Sequence, residues 1–172
     1  MKIIKQCDYR TTAWTGGITR EILILPEGAS LAHRKFDIRI SSAIIETTES
    51  DFSDFQGFDR YILPIEGRIT LMRENQTIIL SPHQPFHFGG EEKVSSKNTP
   101  KAIDFNVIFR KGRQVEVEWK KTDSPIALGD CLLFALSPLK VGKIQIEKHD
   151  SLVLESKEMV SGEMIIVKFR HF

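Results

Sequence analysis

Cysteine is scarce in this chain. Only Cys7 and Cys131 occur in 172 residues, and they form no Cys-x-x-Cys pair. A cysteine-built zinc or redox motif is therefore missing, and reduced thiols in a cytoplasmic protein are the expectation. Charge of one sign is also lacking. The formal net charge is +1 and the basic residues are dispersed, which argues against a nucleic-acid partner. No apolar run approaches the 18 residues of a membrane-spanning helix. The opening Met1-Lys2-Ile3-Ile4-Lys5-Gln6-Cys7-Asp8 carries no signal-peptide apolar stretch. Missing too are a Gly-x-Ser-x-Gly elbow and a phosphate-binding loop. Helical periodicity is nearly absent; the segment from Ser50 to Phe58 holds a helical turn at most.

What is present is strand. Thr19 to Leu25 runs into the turn Pro26-Glu27-Gly28, and Phe36 to Ile45 starts by alternating apolar Phe36, Ile38 and Ile40 with polar Asp37, Arg39 and Ser41. Asp59 to Glu66 and Arg68 to Met72 flank Gly67, which marks a tight turn or bulge. Pro64 has no N–H to donate, so its strand is an edge or is distorted there. Thr77 to Leu80, Phe86 to Gly90, Val115 to Trp119, Gly142 to Glu147, Cys131 to Leu136 and Met164 to Phe169 follow the same habit. Glu91 to Lys101 reads as a charged loop, and Lys111-Gly112-Arg113 as the boundary between two halves. Many short strands at close spacing predict an all-β sandwich or barrel with few short helices.

One strand carries chemistry. In Ile103-Asp104-Phe105-Asn106-Val107-Ile108-Phe109-Arg110, alternation puts Ile103, Phe105, Val107 and Phe109 on one face and Asp104, Asn106, Ile108 and Arg110 on the other. Asp and Asn are poor strand formers. They face water, or they face a cavity where hydrogen bonds offset their placement.

Several motifs in order resemble the HutD/Ves family: Trp14 with Gly16-Gly17-Ile18-Thr19-Arg20-Glu21-Ile22, Phe36 to Ser41, Phe52 to Arg60, Ile65-Glu66-Gly67, Pro85 to Gly90, and Asp104-Phe105-Asn106-Val107. They cover roughly the first two-thirds of the chain. The resemblance implies a bicupin of antiparallel β-barrels. Its amino-terminal lobe would span residues 1–111 and a smaller, closely packed lobe residues 112–172, with the first strands free to cross over. It implies binding or regulation, tied in some relatives to histidine utilisation and in others to stress. Two departures stand out. Thr15-Gly16-Gly17-Ile18 lacks the family's Asn and third Gly, and Gln56 replaces a turn proline.

Cupin metal sites need His-x-His with a Glu and a further His. The five histidines are His33, His83, His87, His149 and His171, and none forms that pattern. His83 and His87 are four apart, but Pro82 and Pro85 oppose a helix, and an extended chain separates them by about 13 Å. No metal or cofactor is expected. Cys131 lies in an apolar run, where a thiol is inert. The candidate ligand-binding set is Trp14, Thr19, Arg20, Glu21, Arg39, Arg60, Asp104 and Asn106. An arginine beside Asp104 and Asn106 suits a small carboxylate, since guanidinium binds carboxylate bidentately. The alternative is an internal Arg–Asp pair that only fixes the barrel. The expected function is metal-free binding of a small organic acid or amino-acid derivative by a sensor or regulator. The rival is a metal-independent isomerase or hydrolase with Asp104 or Glu21 as general base. Exposed sheet edges make a homodimer an added expectation.

Overall fold

The structure, a computed structural model, describes residues 1–169. In chain order the strands are β1 (Lys2–Ile4), β2 (Arg10–Trp14), β3 (Gly17–Leu25), β4 (Ile38–Ile45), β5 (Glu49–Asp51) and β6 (Phe58–Glu66). Next come β7 (Ile69–Arg73), β8 (Gln76–Ile79), β9 (Phe86–Gly89), β10 (Val94–Asn98) and β11 (Ala102–Arg110). The last are β12 (Val115–Leu128), β13 (Cys131–Ala135), β14 (Leu139–Val141), β15 (Ile144–Ile146), β16 (Ser151–Leu154) and β17 (Glu158–Phe169). The one helical element among the described residues is a 3₁₀ turn, Gln6–Asp8. No helix is long and apolar enough to cross a membrane.

The chain divides into two compact units. One is Arg10–Arg113; the other joins Met1–Tyr9 to residues from Gln114 onward. The first strand thus crosses over: β1 pairs with β16, Ile3 opposite Leu152. In that carboxy-terminal unit the sheet order is β1-β16-β13-β17-β14-β15, with β12 on β17. Its interior is apolar, with Leu133, Leu139, Leu152, Met164 and Ile166 fully buried.

The amino-terminal unit has two antiparallel sheets, β2-β3-β4-β11-β6-β9 and β5-β10-β7-β8. Ile45, Ile62, Phe88 and Ala102 from the larger sheet pack with Ile69, Leu71 and Val94 from the smaller. A second cluster gathers Phe36, Phe55, Phe58 and Ile108. Each such side chain contributes about 1.5–3 kcal/mol on burial. These two clusters flank the polar region described below.

Three local expectations change. Glu91 to Lys101 is not a plain loop: Val94–Asn98 forms β10, between β5 and β7. Its polar composition hides a strand because buried Ser96 meets the Ser50 hydroxyl at 3.0 Å, while Lys97 points outward. Ser50 lies in β5 rather than in a helical turn. Gly142 to Glu147 is not one strand; Gly142, at φ +56°, turns the chain between β14 and β15. Pro64 behaves as its chemistry requires. It lies beyond the part of β6 that β9 covers, and opposite it the β11 register shifts between Ile103 and Asp104.

Candidate functional site

Register, not sequence distance, assembles the site. Thr12, Thr19, Ala43 and Asp104 form one row across β2, β3, β4 and β11. Arg10, Glu21, Ser41 and Asn106 form the next row. Arg39, Ile108 and Arg60 form a third, running from β4 to β6. Bulges at Glu21/Leu23 and Ile103/Asp104 break the ladders beside these rows; bulges re-aim side chains where sites are built. The rows line a hollow of about 520 Å³, within the range of small-molecule pockets.

Five of its charged or polar side chains are deeply buried: Ser41 (3% exposed), Arg60 (4%), Asp104 (5%), Arg39 (7%) and Asn106 (9%). Arg39 is spoken for. Its Nε donates to Glu21 Oε2 at 2.7 Å and its Nη1 to the Ser41 hydroxyl at 3.1 Å. Arg60 is not. Nη1 donates to the Ser53 carbonyl at 3.2 Å, but Nε has no partner among the described residues. Its guanidinium carbon sits 4.9 Å from the Phe52 ring centroid and 5.3 Å from that of Phe88. These contacts favour the cation without supplying an acceptor.

Asp104 is equally under-supplied. Its Oδ1 accepts the Ala43 N–H at 2.9 Å, its one hydrogen bond among the described residues. Burial pushes this carboxyl up to about 6, against the downward pull of the Ala43 N–H, Arg60 and Arg39. Burial likewise lowers Arg60 to about 10, with Asp104 opposing; the guanidinium stays charged at neutral pH. Asn106 Oδ1 is buried without a partner. Buried polar atoms are nearly always satisfied, so Arg60 Nε and Asn106 Oδ1 stand out as a donor and an acceptor with no protein partner among the described residues.

Trp14 also lines the hollow, 41% exposed. Its ring lies over Gly16, where an added Cβ would come within 2.0 Å of the ring. Seven of the eight candidate residues thus meet in one hollow. The exception is Arg20. Alternation turns it to the other face of β3, paired with Thr11 and Ser42, and it lines no part of the hollow. Being adjacent to Thr19 and Glu21 in sequence placed it opposite them in space.

Arg10, Thr12 and Ser41 were missed. The signal was period 2: Arg10 and Thr12 share the β2 face of Trp14, and Ser41 shares the β4 face of Arg39. Among the described residues no group of three or more His, Cys, Asp or Glu is placed to hold a metal ion. His83 and His87 are exposed, the latter against Tyr61 at 4.9 Å. His171 lies outside the described residues.

The HutD family model matches residues 6–166. The chain belongs to the HutD family. HutD from Pseudomonas fluorescens SBW25, solved in a formate condition, is 25% identical, with a TM-score of 0.82 over 99% of each chain. The conserved protein of unknown function PA5104 from Pseudomonas aeruginosa PAO1 is 23% identical, with a TM-score of 0.80 over 96% of each chain. A Cupin 2 conserved barrel domain protein from Leptotrichia buccalis shares the fold. It is 15% identical, with a TM-score of 0.62 over 98% of this chain and 96% of its own. No curated protein matches the sequence. This HutD protein therefore has a cupin-like fold.

Proposed function

We propose that this HutD protein binds a small organic acid in the hollow and serves as a cytoplasmic sensor or regulator of amino-acid catabolism, with histidine breakdown the first pathway to test. The two units read as the two lobes of a bicupin, the amino-terminal one carrying the site. One observation carries the binding reading: Arg60 is a buried guanidinium whose Nε has no acceptor among the described residues. A carboxylate oxygen fills that vacancy and matches the guanidinium's charge. Asn106 Oδ1 then takes an N–H or O–H of the same molecule.

Thermal unfolding with formate, acetate, propionate, succinate, glutarate and the acidic intermediates of histidine breakdown tests this. An acid at a hundredfold excess over its Kd raises Tm by about 5–10 °C. Arg60→Lys keeps the charge but loses the fork, and abolishes the rise. If no acid stabilises the protein, or if Arg60→Lys responds as the parent does, the reading is wrong.

A second reading has its own support. The elevated Asp104 pKa suits a general base of an isomerase or hydrolase, whereas Glu21 is held by Arg39. Turnover of a stabilising acid by the purified protein, lost in Asp104→Asn, would favour that enzyme.

A further inference from the structure

The charges at the base of the hollow constrain what an entering acid can do. Asp104 on β11 is faced by Arg39 from β4, Arg60 from β6 and Glu21 from β3, with Arg10 of β2 and Asp51 of β5 nearer the exposed rim. No histidine among the described residues lines this space. The buried set is two guanidiniums and two carboxyls. Arg39 and Glu21 form a closed pair at 2.7 Å. That leaves Arg60 and Asp104. If Asp104 is ionised, the buried set is already neutral, and an added carboxylate leaves one uncompensated negative charge out of water. Such a charge is costly, and a titratable neighbour neutralises instead. If Asp104 is protonated, Arg60 is the excess charge and the carboxylate completes a neutral set.

We propose that the hollow takes an organic acid lacking an amine, and that each carboxylate enters together with one proton from solvent, which Asp104 holds. This rests on the acid-binding reading above and says what that binding does to the site. The protonated Asp104 keeps Ala43 N–H on Oδ1 and turns its other oxygen into an O–H donor. The bound carboxylate receives Arg60 on one oxygen and Asp104 on the other. The burial-driven rise of the Asp104 pKa points the same way. The opposite arrangement would seat an amino acid, with its ammonium on an ionised Asp104 and its carboxylate on Arg60. Charge is then balanced with no proton taken up, so affinity stays nearly flat above pH 6.5. One arrangement has a slope with pH and the other has almost none.

Propionate and alanine differ by a single amine and are the probes, with acetate as a second acid. Calorimetric titration at pH 7.5 in buffers of different ionisation enthalpy counts protons. About one proton is taken up per propionate or acetate bound. Their Kd weakens roughly tenfold per pH unit from 6.5 to 8.5, and alanine binds more weakly than propionate throughout. In Asp104→Asn the amide keeps an oxygen for Ala43 and an N–H for the acid, so the Kd is flat with pH. Proton uptake near zero, alanine as the tighter probe with affinity flat with pH, or a slope that survives Asp104→Asn each overturns the proposal while leaving acid binding intact. Absence of any binding heat removes the acid-binding reading itself, and this inference with it. Because proton counting uses the parent protein, a misfolded variant does not blunt the test.

Discussion

The two units of this chain solve the same packing problem with different interiors. In the carboxy-terminal unit, β13 places Cys131, Leu133 and Ala135 on its inner face, within a cluster completed by Leu139, Leu152, Met164 and Ile166. In the amino-terminal unit, β11 places Asp104, Asn106 and Ile108 along a hollow. Both are long-range antiparallel strands flanked on both sides. One interior is closed by hydrophobic contact, with Cys131 pushed by burial up to about 11 and so inert. The other is an open hollow lined by buried charged and polar groups. An apolar strand face packs against other apolar faces, whereas a buried carboxyl or guanidinium is costly unless its hydrogen bonds are completed. The polar hollow therefore belongs to the unit whose central strand breaks the strand-propensity rules.

The strongest way to break the contrast is to remove half of the closed ion pair. Arg39→Met leaves Glu21 facing a hollow without its cation, with only about a seventh of its side chain exposed. The expected loss is about 3–5 kcal/mol, read by urea unfolding at pH 7. Arg39→Met with Glu21→Leu returns most of it, because both charges go together. If the single variant is as stable as the parent, the amino-terminal hollow is solvent-like and the comparison collapses.

A smaller effect of opposite sign is expected at Asp104. Its folded pKa of about 6 lies above the ordinary value of 3.8. A carboxyl raised in this way contributes stability below pH 3.8 and loses it as pH climbs through 6, because the fold disfavours the anion. Asp104→Asn removes that loss. At pH 8 the variant is more stable than the parent by about 2–3 kcal/mol, and at pH 3.5 the two are alike. Paired urea curves at the two pH values check it; a destabilisation at pH 8 that shrinks at pH 3.5 would mean that Asp104 holds the barrel together as an anion.

Much of this contrast was legible before any coordinates. Strand alternation alone put Asp104 with Asn106 and against Phe105, and both residues proved buried, Asp104 along the hollow. Glu21 and Arg39 were named from separate strands, but their pairing follows from the register that sets Glu21 opposite Ser41, which no local pattern announces. Arg20 was named with Thr19 and Glu21 although alternation sets it on the opposite face of β3, and that is where the structure puts it. The strand Val94–Asn98 was hidden because its stability comes from neighbours on both sides rather than from its own propensity. The drier unit was readable as strands yet silent about role, since an apolar cluster looks alike in many proteins.

The mildest test sharpens the comparison at the mouth of the hollow. Gly16 and Gly17 are adjacent, yet their constraints differ. A Cβ at Gly17 would meet the Ile44 carbonyl oxygen at 2.0 Å, and its φ of +151° suits glycine. A Cβ at Gly16 would instead meet the Trp14 ring at 2.0 Å, and a half-exposed side chain can swing aside. Gly16→Ala should therefore cost less than about 1 kcal/mol, while displacing Trp14 toward water. Trp14 and Trp119 are the only tryptophans, so with Trp119→Phe as background the emission of Trp14 reports the move directly. A red shift with near-parental Tm is expected. An unchanged emission would mean that the ring does not rest on Gly16, and the indole would then lose its place as a wall of the hollow.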